Sequence, residues 1–337
     1  MQEIEIIKPD DWHVHFRDGE MLKAVVPETT RHFSRSIIMP NLIPPILTGQ
    51  EARKYKNVIE KAIPKYDDFK PLMTIYLTEN TSLSDLQSSY EDGSIFAAKL
   101  YPAGATTNSD SGVKNINRIM SVLEKMSEIG MPLLVHGEVT NKNVDIFDRE
   151  KEFIDPYLSF IHERLPELKI TLEHITTKDA VSFISEGNDN LAASITPHHL
   201  ALNRNAILSG GIRPHFYCLP VLKREEHRKE LVKVATSGIS GFFLGTDTAP
   251  HLKTDKENSC GCAGIFNATY CLNILAQIFD DQNSIDNLEN FVSLNGAKHY
   301  GLKSNNQKIK LTKKNKAITF KTHLNFNNYS VQIIIEV

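Results

Sequence analysis

The 337-residue sequence contains only four cysteines, one tryptophan and no apolar run long enough to span a bilayer. Cys260 and Cys262 are too close for an ordinary disulfide, and no second cysteine pair completes a four-ligand zinc site, so we expect reduced intracellular thiols. Residues 1–5 lack the basic-then-apolar order of a signal peptide. These absences predict a cytoplasmic protein with no membrane association.

Neither sign of charge dominates the composition. The 38 Lys and Arg residues oppose 41 Asp and Glu residues, which leaves a formal net charge of −3. Bulk electrostatics therefore gives no reason to expect a nucleic-acid partner or an anionic membrane surface. We expect a small-molecule partner, and a hydrophobic content of 41% is enough for a large core.

Short apolar runs alternate with amphipathic stretches, an order that is typical of repeated βα units. After an extended lead-in at 4–7, we predict barrel strands at 10–15, 36–39, 71–77, 95–100, 132–136, 170–174, 191–196 and 241–247. Helical patterns include 50–62, 115–129, 144–165 and 225–236, with closing helices at 260–279 and 285–300. Eight such strands predict a (β/α)8 TIM barrel at about 10–300. A short C-terminal β extension at about 301–337 completes one domain, 1–337.

Polar side chains lie at or just after the C-terminal ends of these strands, the rim at which TIM barrels build active sites. They are His13, His15, Asn41, Lys99, His136, His174 and Asp247. Imidazoles and a carboxylate are ligands that zinc prefers, and His13 and His15 share one face of an extended strand. Lys99 is either a substrate-binding or surface cation, or a buried neutral amine that adds carbon dioxide to become an anionic carbamate.

The ordered set His-x-His, lysine, histidine, histidine, aspartate resembles the amidohydrolase superfamily. Within it, the sequence is most similar to the short single-domain bacterial dihydroorotase family. The motifs that carry the likeness are Asp11-Trp12-His13-Val14-His15-Phe16-Arg17-Asp18, Met39-Pro40-Asn41, Lys99-Leu100-Tyr101-Pro102, Val135-His136-Gly137-Glu138, Glu173-His174-Ile175, Thr196-Pro197-His198-His199-Leu200, Gly245-Thr246-Asp247-Thr248-Ala249-Pro250-His251 and Cys260-Gly261-Cys262-Ala263-Gly264. These motifs span about residues 10–300, and the resemblance implies nothing about the tail that follows them.

The resemblance implies a metal-dependent hydrolase with two zinc ions per subunit. His13, His15 and Asp247 would hold one ion, His136 and His174 the other, and N6-carboxylated Lys99 and a hydroxide would bridge both. The implied reaction is the reversible cyclisation of N-carbamoyl-L-aspartate to L-dihydroorotate and water, in de novo pyrimidine biosynthesis. Asp247 would act as general acid and base. The alternative role for Asp247 is metal ligation alone, without proton transfer.

The resemblance also implies the substrate contacts. Arg17, Asn41 and His251 would bind the substrate carboxylate, while Leu219 and Ala263 would offer backbone groups to the ring. Thr106 and Thr107 would hydrogen-bond the substrate from a lid at 103–112. The alternatives are a surface salt bridge for Arg17, a turn for Asn41 and an ordinary surface loop at 103–112. The family further implies a homodimer.

Two other functions fit parts of the pattern. A hydantoinase or dihydropyrimidinase would use similar metal ligands, but such enzymes usually carry an extra β-sandwich domain and have no need of Arg17 and Asn41. An inactive barrel that serves as a structural partner would be expected to have lost a ligand, and every ligand position is filled. We expect His198 and His199 to support the site from the end of the seventh strand, because adjacent side chains on a strand point to opposite faces and cannot easily bind one metal together.

Overall fold

The computed structural model describes residues 3–313, 323–326 and 329–332. Strand β1 (Glu3–Ile7) precedes one eight-stranded parallel sheet in which neighbouring strands follow chain order. Its strands are β2 (Asp10–Val14), β3 (Arg35–Ile38), β4 (Lys70–Tyr76), β5 (Ala97–Leu100), β6 (Leu133–Val135), β7 (Ile170–Leu172), β8 (Leu191–Ile195) and β9 (Phe242–Leu244). All eight overlap the strands predicted from sequence.

The sheet closes between β2 and the residues that follow β9. Val14 forms a parallel bridge with Thr248, the Asp247 amide donates to the His13 carbonyl at 2.9 Å, and the His15 amide donates to the Thr248 carbonyl at 2.9 Å. The register of β2 on β3 shifts between Asp11 and Val14. This seam brings the first and last strands together at the rim, and the predicted (β/α)8 TIM barrel is confirmed.

Helices connect the strands and cover the outside of the barrel. The α-helices are α1 (Gly19–Thr30), α2 (Gly49–Ala62), α3 (Leu83–Glu91), α4 (Met120–Ile129), α5 (Arg149–Phe153), α6 (Ser159–Arg164), α7 (Lys178–Glu186), α8 (Pro197–Ala201), α9 (Asn205–Leu208), α10 (Glu225–Thr236), α11 (Lys253–Lys256), α12 (Cys271–Asp281) and α13 (Asn295–His299). Short 3₁₀ segments lie at Ile116–Ile119, Pro214–Phe216, Ala268–Tyr270 and Ile285–Asn287, and π-helical turns lie at Ile154–Leu158 and Asn290–Leu294. Thr48 and Glu51 form a capping box at the start of α2, where the Glu51 amide lies 3.3 Å from Thr48 Oγ1. None of the helices in the described ranges is both long and apolar enough to cross a membrane.

Two expectations about local structure were wrong. The helix predicted at 144–165 begins only at Arg149, and the helix predicted at 260–279 is a loop until residue 268. His198 and His199 follow the end of the seventh barrel strand as expected, but they lie in helix α8, so the opposite faces of a strand do not describe them.

Apolar side chains fill the lower interior of the barrel. Ala97 and Leu134 precede Lys99 and His136 by two residues and therefore share their face of the strands. The buried cluster that contains them comprises Trp12, Ile37, Met39, Leu72, Ala97, Leu134, Ala192, Phe243, Ala297 and Tyr300. Trp12 packs on Tyr300 with ring centroids 4.9 Å apart, so the residues around α13 close the bottom of the barrel beneath the polar rim.

The C-terminal β extension is also confirmed. Strand β10 (Lys308–Thr312) pairs antiparallel with β1, with Ile309 opposite Ile6. Strands β11 (His323–Phe326) and β12 (Tyr329–Gln332) form an antiparallel pair of their own. The rest of the predicted extension lies outside the described residues.

Candidate active site and metal centre

Three ligand atoms meet at the seam of the barrel. His13 Nε2 and His15 Nε2 lie 3.2 Å apart, and Asp247 Oδ1 lies 3.2 Å from the first and 3.1 Å from the second. Ligands about 2.0–2.1 Å from a tetrahedral zinc ion are about 3.3 Å from one another. The spacing and the buried imidazole and carboxylate chemistry therefore fit a shared divalent cation.

The backbone is strained at three positions around the rim of the barrel. His174 and Asp247 have φ angles of 44° and 46°, and Arg17 has a φ angle of 59°. Side chains with a Cβ atom rarely adopt this left-handed region, and each such residue costs about 1–3 kcal/mol. The surrounding hydrogen bonds hold these three residues in conformations that point their side chains into the rim.

A side-chain oxygen lies beside the Nδ1 atom of each of two histidines in the cluster, His13 and His15. His13 Nδ1 lies 3.1 Å from Glu173 Oε1, and His15 Nδ1 lies 2.8 Å from Asn41 Oδ1. His15 can donate from Nδ1 to the Asn41 oxygen and then presents an unprotonated Nε2 on its other side, whereas His13 Nδ1 lies at ion-pair distance from Glu173 without forming a hydrogen bond. Burial lowers the pKa of His15 to about 3, so its ring is neutral and able to bind a metal.

Two further histidines stand on the other side of His13. The His174 ring lies 5.0 Å from the His13 ring and 4.7 Å from the His136 ring, measured between centroids. His136 Nε2 lies 2.8 Å from Glu138 Oε2, which leaves Nδ1 of that ring available. His174 Nδ1 is buried without a hydrogen-bond partner. The two rings fit a second cation next to the first.

Lys99 lies beneath both groups and is fully buried. Its Nζ contacts Glu173 Oε2, and it lies 5.0 Å from the centre of the Tyr101 ring. Burial lowers the pKa of Lys99 well below its usual value. A neutral amine at this position is a nucleophile that can react with carbon dioxide, as the carbamate hypothesis requires.

Asp247 keeps its negative charge in this environment. Burial alone would raise the pKa of its carboxyl, but His13 and His15 lower it well below the usual range. Oδ1 carries the contacts to the two histidines, so Oδ2 is the oxygen free for a proton.

Arg17 lies on the wall of the pocket above the histidine cluster and has no carboxylate partner in the described part of the chain. Arg17 donates from Nε to the Pro250 carbonyl at 3.1 Å, and its Nη2 lies 3.1 Å from His251 Nε2. His251 Nε2 also lies 2.9 Å from the Ala263 carbonyl, to which it can only donate. Within 3–313, no acidic side chain lies within ion-pair distance of Arg17. A ligand carboxylate would accept hydrogen bonds from Arg17 and neutralise its charge.

The loop at 103–112 reaches this pocket and is closed on it. Asn41 Nδ2 donates to the Thr107 carbonyl at 3.1 Å, and Thr107 Oγ1 donates to the Ala263 carbonyl at 3.2 Å. The pocket is lined by His13, His15, Arg17, Asn41, Tyr101, Thr106, Thr107, His136, His174, Leu219, Asp247, Ala249, Ala263 and Gly264. The structure thus brings together all the candidate residues named from sequence, with Lys99 below the pocket floor and His251 beside Arg17.

His198 and His199 lie near this site with their own partners. His199 Nδ1 lies 2.8 Å from Thr196 Oγ1 and its Nε2 lies 3.0 Å from the Pro220 carbonyl, so both ring nitrogens are used. His198 Nδ1 accepts from Asn267 Nδ2 at 3.0 Å. Cys218 lies close enough to His198 and His199 to form a three-residue ligand group. Both ring nitrogens of His199 already have hydrogen-bond partners, so this histidine has no lone pair free for a metal and instead supports the loop that carries Pro220.

The sequence interpretation missed Glu173 and Glu138. Each carboxylate is buried and touches a histidine of the site. Glu173 comes one residue before His174 and Glu138 comes two residues after His136, and both lie in motifs that carry the family resemblance. A buried acid next to a metal-binding histidine is a common orienting partner, and this proximity is the signal that could have identified them.

Comparisons with known proteins agree with the geometry. The amidohydrolase family profile matches residues 6–335. A dihydroorotase of Agrobacterium fabrum is 57% identical over 320 residues, covering 95% of this chain and 93% of that protein. The crystal structure of a Campylobacter jejuni dihydroorotase is 36% identical, with a TM-score of 0.89 and coverage of 98% of this chain and 94% of that one. The Saccharomyces cerevisiae dihydroorotase in complex with 5-fluoroorotic acid is 32% identical, with a TM-score of 0.90 and coverage of 99% and 95%.

Proposed function

Because this chain belongs to the amidohydrolase family and, within it, to the dihydroorotases, we propose that it interconverts N-carbamoyl-L-aspartate and L-dihydroorotate. The observation that carries the proposal is the unneutralised Arg17 on the wall of a pocket floored by His13, His15 and Asp247. Both substrates have a carboxylate for the cation and an amide or acid carbonyl for the metal side. An uncharged cyclic amide would leave Arg17 without an anion.

The donor set supports two zinc ions. His13, His15 and Asp247 would hold one, His136 and His174 the other, and the carbamate of Lys99 would bridge them. Their spacing, the available ring nitrogens and the lowered pKa of Lys99 support this assignment. When bound, the ions polarise the ring carbonyl and provide a strong oxygen nucleophile at neutral pH.

The chain's own groups then bind and move protons. Arg17, Asn41 and His251 hold the substrate carboxylate, while the backbone of Leu219 and Ala263 positions the ring. In the hydrolytic direction, Asp247 Oδ2 accepts the proton that water loses and delivers it to the departing ring nitrogen. In the biosynthetic direction, the same carboxylate moves the proton the other way, from the attacking nitrogen to the departing oxygen. Thr106 and Thr107 keep the loop over the substrate and exclude water.

We further propose a single domain over 1–337, a homodimer and a cytoplasmic location. The pairing of β10 with β1 supports one domain, because it joins the extension to the strand that leads into the barrel. The four cysteines are free, which suits a reducing compartment. The homodimer rests on the family alone, and light scattering of the purified protein tests it.

Hydrolysis of L-dihydroorotate by the purified, zinc-supplemented protein tests the activity. The measurement follows loss of the ring amide, and Lys99→Ala and Lys114→Ala are assayed alongside. We expect turnover by the wild type and Lys114→Ala, because Lys114 is exposed beyond the loop, and none above background by Lys99→Ala. If folded wild-type protein containing two metal ions does not turn over dihydroorotate, the proposal is wrong and other cyclic amides become the candidates.

A further inference from the structure

A buried lysine outside the proposed catalytic set holds three backbone carbonyls. Lys256, the last residue of α11, is 4% exposed. Its Nζ donates to the carbonyls of Tyr217 at 2.8 Å, Cys262 at 2.7 Å and Gly264 at 2.8 Å. An ammonium group has three hydrogens and no acceptor, so every donor of Lys256 is used.

Two of these carbonyls flank the carbonyl that faces the pocket. The Ala263 carbonyl lies 2.9 Å from His251 Nε2 and accepts from Thr107 Oγ1 at 3.2 Å. The carbonyls on either side of it turn the other way, toward Lys256. By holding both neighbours, Lys256 fixes the direction of the peptide groups around Ala263.

The third carbonyl belongs to the segment that carries Leu219. The Tyr217 carbonyl accepts from Lys256 and also from the Gly264 amide at 3.0 Å, so the two segments are joined directly as well. On the other side of Leu219, the Pro220 carbonyl lies 3.0 Å from His199 Nε2. Leu219 is therefore held between two anchored carbonyls.

We propose that Lys256 is a positioning residue for substrate binding, which holds the segments 214–222 and 260–267 in the relative placement that presents Leu219 and Ala263 to the ring. The inference rests on the proposed function for the identity of the substrate. Lys256 acts on the pocket lining through the backbone carbonyls that it holds.

The charge of Lys256 is balanced by carbonyl dipoles. In the described part of the chain, no carboxylate lies within ion-pair distance of its Nζ. Burial lowers the pKa of Lys256 to about 8, while Cys218 and Cys262 oppose that shift. The titratable groups that face it from the surrounding elements are Tyr217, Cys218, Cys262, His198 and His251. A neutral amine would offer two donors and one lone pair to three carbonyls.

The first test compares Lys256→Met with Lys253→Met in the zinc-loaded enzyme. Methionine keeps an unbranched apolar side chain, one atom shorter than that of lysine, and removes its donors, whereas Lys253 is exposed on the same helix. The contacts that Leu219 and Ala263 make with the bound substrate and with the transition state should weaken by the same amount. We therefore expect KM for dihydroorotate to rise about tenfold and kcat to change less than about threefold. Lys253→Met should match the wild type. Equal KM values in the two variants overturn the inference and leave the proposed function intact.

A second measurement does not depend on activity. Amide hydrogen exchange of the peptides covering 214–222 and 260–267 should be about tenfold faster in Lys256→Met than in Lys253→Met, because the Gly264 amide loses a fixed acceptor. Unchanged protection overturns the inference. If the wild type fails to turn over dihydroorotate, the proposed function fails, and this measurement alone decides the role of Lys256.

The pH dependence of KM provides a third measurement. KM of the wild type should rise as the pH passes from 7 to 9.5, because the amine form cannot satisfy all three carbonyls, and this rise should be absent in Lys256→Met. If Lys256→Met does not fold, the same comparison is made with Lys256→Gln, whose side chain does not titrate in this range. A rise of the same size in the wild type and the folded variant overturns the inference.

Discussion

Glu173 is the residue on which two parts of the proposed metal centre depend. Its Oε1 lies 3.1 Å from His13 Nδ1 and its Oε2 contacts Lys99. The carboxylate therefore lies beside a proposed ligand of one cation and also faces the group proposed to bridge both. Such outer partners commonly contribute a factor of about 10–100 to metal affinity.

Glu173→Gln should therefore weaken zinc binding. The amide keeps the size of the side chain but removes the negative charge beside His13 Nδ1, so we expect affinity to fall about 10–100-fold. Zinc content after dialysis against a graded chelator measures this loss, and Glu186→Gln, on the exposed side of α7, is the control. Identical zinc retention in the two variants would show that the contact at Glu173 does not orient the ligand.

Residues differ in how far their sequence context reveals them. His13 and His15 were predictable because alternation along a strand places both on one face, and six strand ends converge in a barrel. Lys256 was not predictable, because its partners are carbonyls up to 39 positions away and carry no side-chain signal. Glu173 lies in one of the motifs that carry the family resemblance, but only the fold places it beside Lys99.

The loop at 103–112 is the element that closes the site. Thr107 joins it to both sides of the pocket, through its carbonyl to Asn41 and through its hydroxyl to Ala263. Asn108 Nδ2 adds a donor bond to the Asn41 carbonyl at 3.1 Å. Asn41 in turn touches His15, so the closed loop is connected to a proposed metal ligand through one side chain.

Thr107→Ala should raise KM for dihydroorotate several-fold, since the closed loop loses its bond to Ala263. Steady-state kinetics on the zinc-loaded enzyme measures the effect, with Ser111→Ala as an exposed control in the same loop. Unaltered kcat and KM in Thr107→Ala would mean that 103–112 is an ordinary surface loop.

Two elements show where helical patterns misled the sequence interpretation. At the start of the predicted helix 144–165, Asp145 Oδ1 accepts from the Phe147 amide at 2.8 Å, a local bond that competes with helix formation. At 260–267, the chain turns its carbonyls to Lys256, and Ile265 bridges Thr248 at the barrel seam. Strands were easier to locate, because their buried apolar runs are short and bounded by turn residues.

At the scale of the whole molecule, buried neutral histidines make stability depend on pH. Burial lowers the pKa of His198 to about 4 and that of His299 to about 3. The unfolded chain takes up protons near pH 6.5 and the folded chain does not, so stability is full above that pH and is lost as the pH falls toward the folded pKa values. Each of the two residues accounts for about 2 kcal/mol of loss at pH 5.

Urea unfolding of the metal-free protein at pH 7.5 and pH 5 measures this dependence. We expect the free energy of unfolding to fall by at least about 4 kcal/mol between them, and His299→Gln to reduce that fall by about 2 kcal/mol. A fall of the same size in His299→Gln and the wild type would contradict the assignment of His299.

The closure of the barrel also sets an order of events during synthesis. His13 and His15 leave the ribosome early, but Asp247 lies 232 positions after His15 and reaches them only when the seam forms. A nascent chain that ends before β9 offers at most the two imidazoles of the three-ligand cluster. Loading of the proposed metal at this cluster would therefore be a late step of maturation, and it would report that the first and last strands of the barrel have met.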